Sequence, residues 1–379
     1  MRRASRGFQV LAKPAGPLCN LRCSYCYYVG KKLYPRGASA VMPDNILEEY
    51  TRQHIAACPD DIIRFSWHGG EPTIAGIDFF RRASAFQRKH CPPGRRVVNG
   101  LQTNGVLIDE AWGRFLAGEG FAVGLSLDGP RDIHDRHRLT GDGRPTFGQT
   151  MHGYEILRRF GVSTDILCVV SETNVSRALD VYRFFKEIGA AYLTFIPLVE
   201  RSFKRGSGVS PESVTAEAWG EFLCAVFDEW VQGDIGRIKV QIIEEAARTA
   251  FGQEHSACIF RPVCGDIPVV ERNGDFYSCD HFVNPGHHVG NILENELVDL
   301  LESPAQRQFG EAKRSTLPSY CRSCEVLAMC HGECPKNRFI RTPDGEAGLN
   351  YLCAGYRRFF NHCRPFVDAV AAEWRRRNP

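Results

Sequence analysis

From Phe8 to about Leu198 the chain alternates short apolar, β-prone runs with longer stretches of helical spacing, and six such cycles follow one another. Strands that alternate regularly with helices mark βα units around a parallel sheet. The predicted strands are Phe8–Lys13, Ile62–His68, Arg96–Thr103, Phe121–Leu127, Ser163–Val170 and Tyr192–Leu198. The predicted helices are Pro43–Cys58, Phe79–His90, Asp109–Glu119, Phe147–Phe160, Val175–Ile188 and, after a Gly/Ser-rich break at Arg205–Ser210, Val214–Gln232. Each strand runs into a polar or glycine-rich segment, so polar groups gather at the strand C-termini, where parallel α/β folds place ligands. The expected fold is therefore α/β, with a curved, partial (β/α)6 barrel.

Ile238–Gly252 reads as a helix leading into a cysteine-rich region, in which Pro268–Arg272 and Phe276–Cys279 flank the hairpin-turn pair Asn273-Gly274. Tyr356–Arg377 has helical spacing and a basic end that suits a helix C-terminus. A length of 379 residues favours a large domain plus a smaller one. The expected division is a barrel core over 1–204, a helical linker over 205–254, a cysteine-rich domain over 255–365 and a C-terminal helix over 366–379. The 47 basic and 44 acidic residues are well mixed, with no basic block of the kind that binds nucleic acid or anionic membranes. The basic start at Met1–Arg6 leads into Phe8–Lys13, too short and polar for a signal-peptide core, and no run approaches the ~18 apolar residues of a membrane span. A soluble, cytoplasmic protein is expected.

Sixteen cysteines are far more than a reducing compartment would use in disulfides, so metal binding is the leading reading. Cys19, Cys23 and Cys26 stand at CxxxCxxC spacing just after the first strand. Three thiolates on a four-iron cluster leave one iron open, and an open iron can take the amine and carboxylate of a substrate. A zinc site would want a fourth ligand nearby, and no His or Cys follows before His54. Eight further cysteines are Cys258, Cys264, Cys279, Cys321, Cys324, Cys330, Cys334 and Cys353, enough for two fully ligated four-iron clusters or for a pair of zinc sites. Cys58, Cys91, Cys168, Cys224 and Cys363 lack ligand spacing and read as small buried apolar residues, and His331 reads as a bystander beside Cys330.

CxxxCxxC with an aromatic before its last cysteine resembles the radical S-adenosylmethionine (SAM) superfamily. Gly69-Gly70-Glu71-Pro72 after the second strand looks like its GGEP motif, whose backbone and carboxylate receive the methionine amino group. Gln102-Thr103-Asn104-Gly105 and Ser126-Leu127-Asp128-Gly129-Pro130 end the next two strands as in the peptide-modifying branch. The resemblance implies that Ser126 contacts the cofactor and that Gln102 lines the cavity. The distal CxxCx5CxxxC with a further cysteine resembles the SPASM domain. By that analogy Cys258, Cys264, Cys279 and Cys334 hold one auxiliary cluster, and Cys321, Cys324, Cys330 and Cys353 the other, giving three [4Fe-4S] clusters.

Asp280, directly after Cys279 in Tyr277–Phe282, brings the resemblance to the anaerobic sulfatase-maturating enzymes, which oxidise a sulfatase cysteine or serine to formylglycine. It implies Asp280 as catalytic base, Tyr28 at the substrate cavity, a sulfatase polypeptide as substrate and a flavodoxin or ferredoxin as reductant. One departure is Trp67-His68 before the GGEP, where those enzymes tend to carry glutamine second; a histidine there could bond a peptide and, near neutrality, add a pH dependence. The competing readings are maturation of a ribosomal peptide by cross-linking or epimerisation, and a non-catalytic iron–sulfur or zinc protein.

Overall fold

The computed structural model describes residues 2–34, 39–202 and 208–378. Residues 205–207 of the predicted break lie outside the described residues. In chain order, β1 (Leu11–Lys13), α1 (Asp44–Ala57), β2 (Ile62–Trp67), α2 (Ile77–His90), β3 (Arg96–Thr103), α3 (Glu110–Gly118) and β4 (Ala122–Ser126) come first. They are followed by α4 (Arg131–His137), α5 (Phe147–Arg159), β5 (Thr164–Val170), α6 (Ala178–Glu187) and β6 (Tyr192–Pro197). Next come β7 (Arg201–Ser202), β8 (Gly208–Val209), α7 (Ala216–Val231), β9 (Lys239–Val240) and α8 (Gln241–Ala250). The cysteine-rich part holds β10 (Val269–Glu271), β11 (Asp275–Tyr277), β12 (His288–Asn291), α9 (Leu297–Leu301) and α10 (Pro304–Ser315). It ends with α11 (Ser319–Arg322), α12 (Leu327–Cys330), β13 (Ile340–Arg341), β14 (Ala347–Leu349) and α13 (Cys353–Arg377).

All six predicted strand–helix cycles are present. The predicted helix at Ile238 starts only at Gln241, because Lys239 and Val240 are drawn into parallel pairing with Tyr192 and Leu193. The last helix starts at Cys353, runs through Pro365 and ends at Arg377. None of the described helices is long and apolar enough to cross a membrane.

Two compact units form, each discontinuous in sequence. The first comprises Met1–Ser126, His137–Thr164 and Gly265–Gly310; the second comprises Leu127–Arg136, Asp165–Cys264 and Glu311–Pro379. In the first, β1 pairs in parallel with both β2 and β10, β2 with β3, and β3 with β4, while β10, β11 and β12 form an antiparallel meander. In the second, β5, β6 and β9 are parallel, and α7 crosses α13 where Gly220 and Gly355 face each other. A Cβ on Gly220 would lie 2.9 Å from the Gly355 Cα, so this close crossing needs glycine.

Strand alternation divides the first unit into two chemically different faces. Ile63, Phe65 and Trp67 of β2, Leu101 of β3, and Val123 and Leu125 of β4 are buried. All but Leu125 belong to an aromatic-rich core in which Trp67 meets Phe65, Phe79, Phe80 and Tyr50. The other face carries Ser66 and His68, Gly100 and Gln102, and Gly124 and Ser126. The register places Lys13 of β1 level with Glu271 of β10 on one side and, continuing the ladder by one residue, with His68 on the other.

Candidate active site

The first cysteine loop follows β1 at once, and Cys19, Cys23 and Cys26 are all half-buried. Residues 137–140 hold the loop in place. Arg22 N–H donates to the Leu139 carbonyl (2.7 Å), Ser24 N–H to the His137 carbonyl (3.1 Å), and Ser24 Oγ meets His137 Nδ1 at 2.7 Å. Arg138 stacks over Tyr25 with 5.6 Å to the ring centre. No spacing marks His137 or Arg138 as belonging to this site, and only the fold brings them there. The sulfurs of Cys19 and Cys26 accept N–H bonds from Leu21 and Val29, both at 3.3 Å. Burial pushes the Cys19 thiol up to about 12, so a thiolate there calls for a cationic partner such as iron.

The GGEP segment docks edge-on against the residues before Cys19. Gly70 N–H donates to the Gly16 carbonyl and Glu71 N–H to the Leu18 carbonyl, each at 2.7 Å. A Cβ on Gly70 would fall 2.1 Å from the Leu18 oxygen. Gly70→Ala must therefore push the two loops apart, and the expected result is at least a ~10-fold loss of SAM affinity by equilibrium dialysis, since a shift near 1 Å commonly costs that much or more. Wild-type affinity in this variant would contradict the assignment.

Glu71 is 1% exposed and its carboxylate is heavily engaged within the protein. It accepts from Thr73 N–H (3.0 Å), Thr73 Oγ1 (2.6 Å), Thr103 Oγ1 (2.8 Å) and Asn104 N–H (2.8 Å). Instead of an open carboxylate, the structure has a clamp that ties the GGEP turn to the end of β3. Asn104 continues the tie, donating to Asn20 Oδ1 at 2.8 Å beside Cys19. Gly69 has no such crowding, its would-be Cβ lying 3.4 Å from the Gly16 oxygen.

Gln102 lies across Gly124, whose Cβ would sit 2.1 Å from Gln102 Oε1, and donates to Ser126 Oγ at 3.1 Å. The two predicted contacts are thus neighbours, with Gln102 fixing the Ser126 hydroxyl. His68 is half-buried and meets Ser66 Oγ at 3.4 Å. Burial, with the Lys13 charge added, lowers His68 to about 4, below the neutral range. The sign is that of a histidine kept neutral in the fold: its contribution to stability is complete above 6.5 and is lost as pH falls from 6.5 through about 4. In His68→Gln the activity profile between pH 6.5 and 8 should keep its wild-type shape; a lost inflection in that window would show that His68 titrates there.

Asp280 opens a short turn after β11. Its Oδ1 is 2.5 Å from the ammonium of Lys13, which is 1% exposed, and its Oδ2 accepts from the Tyr27 hydroxyl. Burial would raise the Asp280 carboxyl, but Lys13, His281 and Tyr27 together hold it well below the usual carboxylate range, so it is ionised at neutral pH. Tyr28 is 2% exposed, with its hydroxyl bonded to Glu271 and its ring 4.2 Å beneath the Lys13 ammonium. The tyrosine that reaches the Asp280 carboxylate is Tyr27. Tyr34 binds the other oxygen of Glu271, a buried carboxyl that desolvation pushes up to about 8. Lys13 and Glu271 were missed in the sequence, although each ends a strand where ligands collect.

In the second unit Cys321, Cys324, Cys330 and Cys353 line a single cavity with Leu327 and Asn350. Four thiols around one hollow suit a fully ligated cluster. Cys58, Cys168, Cys224 and Cys363 are buried, as their lack of spacing predicted, while Cys91 is half-buried.

Residues 14–185 match the radical SAM superfamily, and residues 262–325 match the iron–sulfur cluster-binding domain SPASM. A serine-type anaerobic sulfatase-maturating enzyme of Bacteroides thetaiotaomicron is 40% identical over 378 residues, covering 96% of this chain and 91% of that protein. The chain belongs to the anaerobic sulfatase-maturating enzymes. A cysteine-type sulfatase-maturating enzyme of Clostridium perfringens is 32% identical, covering 96% of this chain and 98% of its own length. The solved structure of native anSMEcpe with bound AdoMet and the Cp18Cys peptide superposes with a TM-score of 0.87 at 31% identity, over 97% of this chain and 100% of that one. Membership makes this sulfatase-maturating chain a radical SAM oxidoreductase with SAM-binding and iron–sulfur-binding parts, and it removes the non-catalytic reading. The Streptococcus suis protein SuiB, at 18% identity and a TM-score of 0.64, shares the fold.

Proposed function

We propose that this chain oxidises a seryl or cysteinyl side chain of a sulfatase polypeptide to formylglycine, with three [4Fe-4S] clusters and a flavodoxin or ferredoxin as reductant, in the cytoplasm. The observation that carries the reading is Asp280: an ionised carboxylate held by Lys13 and Tyr27, one residue from Cys279. The division into a core over 1–204, a linker, a cysteine-rich domain from 255 and a final helix is part of the same proposal, as is the ligand partition among the distal cysteines.

When bound at Cys19, Cys23 and Cys26, the reduced cluster would supply the electron that cleaves SAM, yielding a radical able to take hydrogen from the target Cβ. The protein's own residues do the rest. The GGEP backbone, held by Glu71, offers its edge to the methionine end, and Gln102 turns the Ser126 hydroxyl toward the same face. Asp280 takes the hydroxyl or thiol proton from the substrate, and clusters held by the distal cysteines would supply an acceptor for the second electron. His68 stays neutral and so serves as a hydrogen-bonding group for the peptide.

Three serine-type relatives at 36–40% identity, against 30–32% for the cysteine-type ones, support a seryl target. Anaerobic incubation with SAM, a reductant and paired peptides bearing Ser-x-Pro-x-Arg or Cys-x-Pro-x-Arg tests this by mass spectrometry. Loss of two hydrogens from the serine peptide is the expected result. Cross-linked product, or no change in either peptide, would count against the proposal. Iron analysis near twelve per chain is expected for three four-iron clusters.

A further inference from the structure

The two oxygens of Asp280 are not equally open. Oδ1 is fully buried and lies 2.5 Å from the ammonium of Lys13, so a substrate does not reach it. Oδ2 accepts the hydroxyl of Tyr27, the residue directly after Cys26. Tyr27 is 39% exposed whereas its neighbour Tyr28 is buried, so Tyr27 is the one of the two that a polypeptide arriving at Asp280 can touch. Its ring is fixed by an edge contact with Tyr28 at 6.0 Å and a tilted one with His281 at 5.2 Å. The hydroxyl is therefore aimed before any substrate arrives.

A phenol hydroxyl gives one proton and accepts through its lone pairs. Here the proton goes to Oδ2, and toward a substrate the phenol oxygen acts as an acceptor. A serine hydroxyl is a full donor to such an oxygen, at the short separations of O–H···O bonds. A cysteine thiol is a weak donor and releases its proton far more readily, at about 8.5 when free. The arrangement thus helps an alcohol most, which has both the stronger bond to make and the harder proton to lose.

We infer that Tyr27 favours a seryl over a cysteinyl target by accepting the serine hydroxyl's hydrogen bond while its own hydroxyl donates to Asp280, so that the proton reaches the carboxylate through the phenol. The serine O–H breaks as a new Tyr27 O–H forms, and the former Tyr27 O–H breaks as an Asp280 O–H forms. The phenol ends neutral, as it began. The substrate Cβ radical loses this one proton and one electron to become the aldehyde, and the electron goes to the acceptor named in the preceding section. This role rests on the formylglycine reading given there, and adds to it the preferred target and the route of its proton. Direct transfer to the remaining lone pair of Oδ2 is the competing route, and it makes no use of Tyr27.

The test compares iron-loaded wild type and Tyr27→Phe under anaerobic conditions with SAM, a reductant and matched peptides bearing Ser-x-Pro-x-Arg or Cys-x-Pro-x-Arg. The serine-to-cysteine ratio of kcat/KM should fall at least ~10-fold in Tyr27→Phe, a modest share of what a positioned proton-transfer group contributes. An unchanged ratio overturns the inference, as does an equal loss with both peptides. A second readout needs no turnover. With SAM present and reductant withheld, the serine peptide should bind wild type about 5-fold more tightly than its alanine counterpart, the worth of one hydrogen bond, and Tyr27→Phe should lose that preference. Equal binding of the serine and alanine peptides to wild type overturns the inference even where Tyr27→Phe fails to fold. A wild type that oxidises neither peptide defeats the formylglycine reading itself, whatever Tyr27 does.

Discussion

In Asp280→Asn, SAM cleavage continues while formylglycine falls by ~10²- to 10⁴-fold, the usual worth of a positioned general base. Asparagine keeps the shape of the side chain but cannot take a proton. The hydrogen-abstraction step does not use the carboxylate, so 5′-deoxyadenosine should still be released when peptide is present. Measuring 5′-deoxyadenosine and formylglycine in the same anaerobic reaction gives their ratio, which rises steeply in the variant. Formylglycine at more than a tenth of the wild-type rate would show that another group takes the proton. Parallel loss of both products would place Asp280 in SAM binding.

Lys13→Met should be destabilised by about 3–5 kcal/mol, the range for breaking a buried ion pair from one side. Lys13 is 1% exposed, its partner Asp280 is 2.5 Å away, and the carboxyl of Glu271 stands beside it in register. Removing the ammonium leaves the Asp280 carboxylate without its cation. Denaturant unfolding of wild type, Lys13→Met, Asp280→Asn and the double variant closes a cycle. The double variant should be less destabilised than the sum of the singles, because Asn no longer needs the cation. Additive effects, or a loss under ~1 kcal/mol in Lys13→Met, would mean that the pair is not coupled.

The strand–helix cycles were legible because periodicity and strand-end polarity are local signals, and boundaries fell within a few residues for β3 and α5. The cysteines were legible because metal ligands leave a spacing. What stayed hidden is pairing across distance. Lys13 in Phe8–Lys13 looks like an ordinary solvated strand end until the turn after β11 brings Asp280 to it. Tyr27 and Tyr28 are adjacent in sequence, and only side-chain direction decides that the first meets Asp280 and the second meets Glu271. The lowering of His68 was hidden for the same reason, since neither its burial nor the Lys13 charge is visible in a string of residues.

The pairing of β1 with β10 also has a consequence for how the enzyme is made. Leu11 emerges early in synthesis and its partner Val269 much later, so one flank of the strand that launches the first cysteine loop stays bare for most of translation. Closing so long a loop is slow, and an open strand edge meanwhile invites pairing with other chains. Truncation before residue 265 would make that state permanent, stripping β1 of a neighbour and Lys13 of its acid. The cysteine-rich part is thus no detachable appendage, and shortened versions of the core are expected to aggregate.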